Sequence, residues 1–268
     1  MITNDANYVN FREICIGNIA PNTLYRSSHP IKDNKQEKTI SLLASNAKIS
    51  TVINLCDSMH GIMGKALFAP WYNNLLKSNR VIALGMDFSI TSDNFMKKFK
   101  KAIQFIIRTE GPWLVHCHAG IDRTGFVLMV LESFMGAFLN DVIDDYLKSF
   151  NSIFKSSVFH STQKTDASTV MQILSVMSSS QIINEQNLQR IAETYLRSKI
   201  GLSAEEAELL RGKLGAFCEA LVLPDAEEAL LGAIPLEAMD LAINPRKEEI
   251  VGAHGDQIVH SVKFISKK

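Results

Sequence analysis

The sequence predicts an α/β fold: a central, largely parallel sheet flanked by helices, followed by a small β-containing C-terminal appendage. Three observations carry this. Short runs rich in Val, Ile and Leu, "STVINLC" (50–56), "RVIALGM" (80–86) and "WLVHC" (113–117), are bounded by polar or glycine-bearing stretches, as buried parallel strands are. Helical patterns alternate with them, which argues for crossover connections. Beyond Cys218 the texture changes to short β-like pieces broken by prolines.

The helical patterns follow in order. "KQEKTISLLASNA" precedes the first strand. "SDNFMKKFKKAIQFIIR" precedes the third and puts Phe95, Phe99, Ile103 and Ile106 on one face with lysines opposite; Ser92 or Asp93 is its candidate N-cap. "TGFVLMVLESFMGAF" is apolar enough to be buried, and "DVIDDYLKSF" is amphipathic with acidic residues in its first turn. From about 151 to 180 the periodicity weakens and a Ser/Thr-rich stretch reads as a loop. The segment "NEQNLQRIAETYLRSKIGLSAEEAELLRGKLGAF" reads as two helices broken at Gly201, the second capped by Ser203 with Glu206 at capping-box spacing. The expected division is a main domain over 1–200, with a helical end to about 215, and an appendage over 216–268.

Composition narrows the partners. The 268 residues are 46% hydrophobic and 21% charged, with zero formal net charge. A global basic field of the kind nucleic-acid binding uses is absent, so any anion site is local. No apolar run approaches the roughly 20 residues of a membrane helix, and "MITNDANYVN" lacks a signal-peptide pattern. Cys15, Cys56, Cys117 and Cys218 lie far apart without metal-type spacing, and His254 and His260 have no ligand-like company. The expectation is a cytoplasmic protein with free thiols, no cofactor and no metal; its oligomeric state is open.

The chemistry concentrates in "LVHCHAGIDRTGFV" (114–127). A strand ending at Cys117 and a helix opening near Arg123 leave a tight loop whose N–H groups converge, an anion cradle made by residues His118, Ala119, Gly120, Ile121, Asp122 and Arg123. That field favours a thiolate on Cys117. Arg123 has the planar fork to grip two oxygens of a tetrahedral oxyanion, and Thr124 can donate its hydroxyl to the sulfur as it leaves. Together they suit attack by a thiolate on a phosphate monoester, giving a cysteinyl-phosphate that water hydrolyses.

The segment resembles the signature loop of the cysteine-dependent protein tyrosine phosphatase superfamily, His-Cys-five residues-Arg-Ser/Thr. The resemblance implies that Cys117 is the nucleophile, Arg123 the phosphate-binding arginine, and Thr124 the hydroxyl that assists thiolate departure. "NFREICIGNIAPNTLYRSSHP" looks like the entry segment of bacterial and atypical dual-specificity members, so the likeness spans roughly residues 9–150. Such enzymes place an acid on a loop about thirty residues before the Cys, and Asp87 in "ALGMDFSITSDNF" occupies that place. Asp122 is the rival acid: "AGIDRTG" resembles the "AGKDRTG" loop of a bacterial subgroup active on phosphotyrosine and phosphoinositides, with Ile121 in place of lysine. The implied partner is a phosphorylated protein, or a small phosphate ester. Protein phosphotyrosine leads, with dual specificity, a phosphoinositide or inositol phosphate, and a non-catalytic phospho-ligand module as alternatives.

The stretch "VLPDAEEALLGAIPLEAMDLAINPRKEEIVGAHG" resembles the C-terminal part of retropepsin-like aspartic proteases, Leu230-Leu231-Gly232 matching their apolar-apolar-Gly element. The chain has no Asp-Thr-Gly or Asp-Ser-Gly, so the paired carboxylates that activate water are missing.

Overall fold

A computed structural model describes residues 6–156, 165–178, 181–215, 241–244 and 249–252. The main sheet contains β1 (Arg12–Ile14), β2 (Leu24–Ser27), β3 (Thr51–Asn54), β4 (Val81–Ala83) and β5 (Trp113–His116), in the order β1-β2-β5-β3-β4. All neighbours are parallel except β1 and β2. The fold is therefore α/β with a mostly parallel sheet, and β5 lies at its middle, where β2 and β3 both pair with it from Trp113 onward.

The period of two along β5 sorts its side chains. Leu114 joins the apolar layer on one face with Tyr25 and Val52, whereas Trp113, Val115 and Cys117 belong to the layer on the other. That second layer is capped by α4 (Asp93–Arg108) and α5 (Asp122–Phe134). In α4 the expected face is buried, through Phe95, Phe99, Ile103 and Ile106, and the Ser92 hydroxyl accepts from Phe95 N–H as its cap. In α5 every residue from Arg123 to Phe134 is buried, as its apolar sequence requires.

The other helices are α1 (Asn34–Asn46), α2 (Met59–Ala66), α3 (Pro70–Lys77), α6 (Leu139–Ser156), α7 (Ala167–Ser175), α8 (Leu188–Ser198) and α9 (Ala204–Leu214). The break between α8 and α9 falls at Gly201, φ +80°, and the Ser203–Glu206 capping box forms in both directions. Three features depart from the periodicity reading. The strands are shorter than the apolar runs, because the ends of those runs turn into the loops above the sheet. β2 reads "LYRS" and escapes an apolar criterion, yet it is buried throughout because Arg26 has partners inside. Within the stretch read as a loop, Asp166 caps Thr169 N–H and starts α7, which buries Val170 and Leu174.

The chain divides into two compact units, Met1–Gly215 and Ala216–Lys268. The second is described only at β6 (Leu241–Asn244) and β7 (Glu249–Gly252), an antiparallel pair with Leu241 opposite Gly252. Leu230-Leu231-Gly232 and most of the retropepsin-like stretch lie outside the described residues. Among those described, no helix is long and apolar enough to cross a membrane.

Phe95 joins α4 to α5 by packing edge-on against Phe126, ring centroids 5.8 Å apart, and against Phe99 at 6.3 Å. Phe95→Ala is expected to destabilise the fold by about 3–5 kcal/mol, read from the urea midpoint at unchanged m-value.

Candidate active site

The loop between β5 and α5 is held by its carbonyls. The Cys117 carbonyl lies 3.2 Å from His116 Nδ1. The His118 carbonyl accepts from His29 N–H at 3.0 Å. Asn10 Nδ2 donates to the carbonyls of Ala119 (3.5 Å) and Gly120 (3.1 Å), and Arg26 Nη2 donates to Gly120 at 2.6 Å. In a trans peptide the C=O and the following N–H point opposite ways. Holding the carbonyls of 117–120 from outside turns the N–H groups of 118–121 inward, toward the space beside Cys117. Ile121 then enters α5 without a side-chain cap, so the first-turn N–H groups of the helix are also free to meet an anion.

Only glycine fits at 120. Its φ is +72°, and a Cβ would sit 2.3 Å from the Ser27 carbonyl oxygen.

Cys117 is buried at the end of β5. One turn later, Arg123 and Thr124 are buried, and Arg123 Nε and Thr124 Oγ1 have no hydrogen-bond partner among the described residues. Buried polar atoms without partners are costly, and a bound oxyanion is the kind of group that would satisfy both. The other end of Arg123 is occupied: Nη1 donates to the Met86 carbonyl at 2.8 Å, and the guanidinium lies 4.2 Å from the centroid of the Phe88 ring.

Asp87 therefore sits between the two residues that hold Arg123. It is exposed, on the loop after β4, and accepts from Asn94 Nδ2 and Ser92 Oγ. The Asn94 hydrogen bond, outweighing a small burial effect and helped by Ser92, holds its carboxyl below the usual range. Asp122 is exposed in the first turn of α5, and its charge helps raise the Tyr146 hydroxyl, which burial chiefly pushes up to about 12. The structure thus gathers Cys117, Arg123, Thr124 and the backbone of 118–123 in one turn, and brings up Asp87 on a separate loop.

Beneath the cradle lies a buried charge network. Asp145 on α6 receives Arg12 Nε (2.8 Å) and Nη2 (2.6 Å) on one oxygen and Arg26 Nη1 on the other. Arg12 Nη2 also reaches Ser149 Oγ at 2.6 Å, and its Nη1 bonds the Asn10 side chain. Burial alone would raise Asp145; Arg26 and Arg12 overcome it and hold the carboxyl below the usual range. Glu132 on α5 shows the opposite outcome: burial, and next the Asp145 charge, drive its pKa well up. Nothing in their local sequence marks Asn10 or Asp145 as part of the site. For Glu132 the signal is a glutamate inside "MVLESF", since an ionised carboxylate in that apolar run has no place to go.

A second polar cluster flanks the loop. His29 Nε2 lies 2.6 Å from Asp57 Oδ2, while His29 Nδ1 accepts from Ile31 N–H at 3.2 Å. Asn54 (3.0 Å), Lys65 (3.1 Å) and Cys56 Sγ (3.5 Å) also donate to Asp57. Potential ligand atoms of His29, Cys56 and Asp57 lie within 4.8 Å of one another. With Nδ1 an acceptor, the proton sits on Nε2 and leaves no lone pair there for a metal. Burial, and next the charge of Asp57, push the Cys56 thiol up to about 12. The donors as arranged form a hydrogen-bonded brace and do not fit a metal. His118 is exposed beside it, its pKa lowered by burial and then by Lys32 and His29.

Two expectations follow from this geometry. Above the ordinary glutamate range the unfolded chain releases the Glu132 proton while the folded chain keeps it, so this group lowers stability as pH rises. Glu132→Gln removes that loss, and its urea-derived stability should fall less than the parent's between about pH 5 and about pH 8. Gly120→Ala should cost more than about 1 kcal/mol and abolish phosphate release from an aryl phosphate.

Residues 6–216 match the model of the tyrosine phosphatase family. No curated relative matches the chain in sequence. In fold it is similar to the core catalytic domain of the PP-IP phosphatase SIW14 from S. cerevisiae, solved in complex with citrate, at 18% identity and a TM-score of 0.41 over 75% of this chain and 94% of that one. With the family match covering most of its length, this cysteine-dependent phosphatase belongs to the tyrosine phosphatase family.

Proposed function

We propose that the protein hydrolyses phosphotyrosine in protein substrates through a cysteinyl-phosphate on Cys117. The observation that carries the phosphate site is the pair of buried, unpartnered atoms, Arg123 Nε and Thr124 Oγ1, beside a loop whose N–H groups turn inward. The aryl preference rests on Phe88. Its ring is 69% exposed and stacked over Arg123, an apolar wall where the group carrying the phosphate would enter.

In this reading the phosphate oxygens take the N–H groups of 118–123 and the Nε edge of the Arg123 guanidinium, while Nη1 stays on the Met86 carbonyl. The Cys117 sulfur attacks phosphorus, the bond to the tyrosine oxygen breaks, and Asp87 supplies the proton that oxygen needs. At rest Asp87 is an exposed, hydrogen-bonded carboxylate. A phosphate dianion and a thiolate arriving nearby would raise its pKa by like-charge repulsion, which equips it as an acid only when substrate is bound. Asp87 then takes a proton from water, the water oxygen attacks phosphorus, and the sulfur leaves with the Thr124 hydroxyl donating to it. The protein is read as cytoplasmic, and residues 216–268 as an aspartic-protease-like remnant without chemistry.

The test is a panel of phosphotyrosine peptides, phosphoserine peptides and inositol phosphates. Phosphotyrosine peptides should give the highest kcat/KM, and Cys117→Ser should abolish turnover of all; a clear preference for inositol phosphates overturns the substrate assignment. On a poor leaving group Asp87→Asn should lower kcat by roughly 10²–10⁴, with Asp122→Asn close to the parent. The reverse pattern would make Asp122 the acid.

A further inference from the structure

Of the groups that hold the cradle from outside, Arg26 is the one that carries charge. His29 uses a backbone N–H and Asn10 a neutral amide, but Arg26 places a guanidinium on the Gly120 carbonyl while its side chain is fully buried. Burying a cation is expensive unless it is matched, and for stability alone a matched pair or an apolar substitute would serve as well. Here two guanidiniums, Arg12 and Arg26, share the single Asp145 carboxylate, and the Glu132 carboxyl oxygens pair with neither. Arg26 turns its remaining terminal nitrogen to the loop.

A carbonyl that accepts from a cation draws electron density out of its peptide, and the N–H at the other end of that peptide becomes a stronger donor. Here the carbonyl is Gly120 and the N–H is Ile121, which faces the cradle. We propose that Arg26, seated by Asp145, is a positioning residue for phosphate: acting through the Gly120–Ile121 peptide without touching the ligand, it aims and strengthens the Ile121 N–H. The assignment rests on the phosphatase reading of the same loop. It also gives the buried "LYRS" strand a role at the site, since β2 pairs directly with β5 and delivers Arg26 beneath the loop that β5 begins.

The test uses tungstate, a tetrahedral oxyanion, bound to the inactive Cys117→Ser full-length protein and followed by calorimetry and by the ¹⁵N–¹H shift of Ile121. Adding Arg26→Met should weaken tungstate binding roughly tenfold or more, the scale of a lost charged hydrogen bond. It should also abolish most of the downfield shift of the Ile121 amide, and Arg26→Lys should recover part of the affinity. A melting temperature recorded on each protein separates this from mere scaffolding. Lowered melting with tungstate affinity within about twofold of the Cys117→Ser parent would overturn the proposal. If Arg26→Met does not fold, Arg26→Lys and the Ile121 shift in the Arg26-retaining protein decide, and an Ile121 amide that ignores bound tungstate overturns it. Failure of Cys117→Ser to bind tungstate, with no turnover by the parent, overturns the phosphatase reading and this inference together. Binding that Arg26 substitution leaves unchanged overturns the inference alone.

Discussion

A planar peptide cannot turn its carbonyl and its N–H to the same side, and residues 117–121 make a site of that constraint. For four N–H groups to face one point, four carbonyls must face away, and each needs a donor behind it. His29, Asn10 and Arg26 supply those donors for residues 118–120. Asn10 precedes β1 and Arg26 lies in β2, opposite Arg12 of β1, and Asp145 comes from α6. The β1–β2 edge of the sheet and α6 therefore serve the loop as well as the core.

Burial sets the electrostatics of this arrangement. Arg12 is pushed down to about 10, by burial first and then by the charge of Arg26. Asp145 answers both with one carboxylate, while burial, ahead of the Asp145 charge, drives the Glu132 pKa well up. On the other side of β5, His116 is driven down to about 3 by burial and by His29, so it stays neutral and its contact with the Cys117 carbonyl adds no charge behind the sulfur. Arg26 thus stands behind the loop on the β2 side, while Asp57, after β3, is held by His29 and Lys65.

The mouth of the site is built from the loop after β4. Met86 is buried and grips Arg123 with its carbonyl, Phe88 covers the guanidinium from outside, and Asp87 stands exposed between them. The loop is tied to the neighbouring segment by Gly85 N–H on the Asp57 carbonyl and by Met86 N–H on Leu55. The Met86 carbonyl takes only Nη1 of Arg123, so the same loop that carries Asp87 fixes the guanidinium while its Nε stays without a protein partner.

The local features were legible because each rests on neighbours in sequence. The α/β alternation, the buried face of α4, the Ser92 cap and the Ser203–Glu206 capping box depend on residues a turn or two apart. So did the thiol loop, since Cys117, Gly120, Arg123 and Thr124 fall within eight consecutive positions. β2 and α7 were not legible: a strand whose arginine is buried by partners 94 and 119 residues away looks polar, and a one-face helix in a Ser/Thr-rich stretch looks like a loop. By itself the sequence determined which residues could form an anion cradle around a thiol. Only the tertiary structure decided which way its peptides face, because the donors that turn them, Asn10 and Arg26, lie 110 and 94 residues from Gly120 and reach it only once β2 has paired with β5.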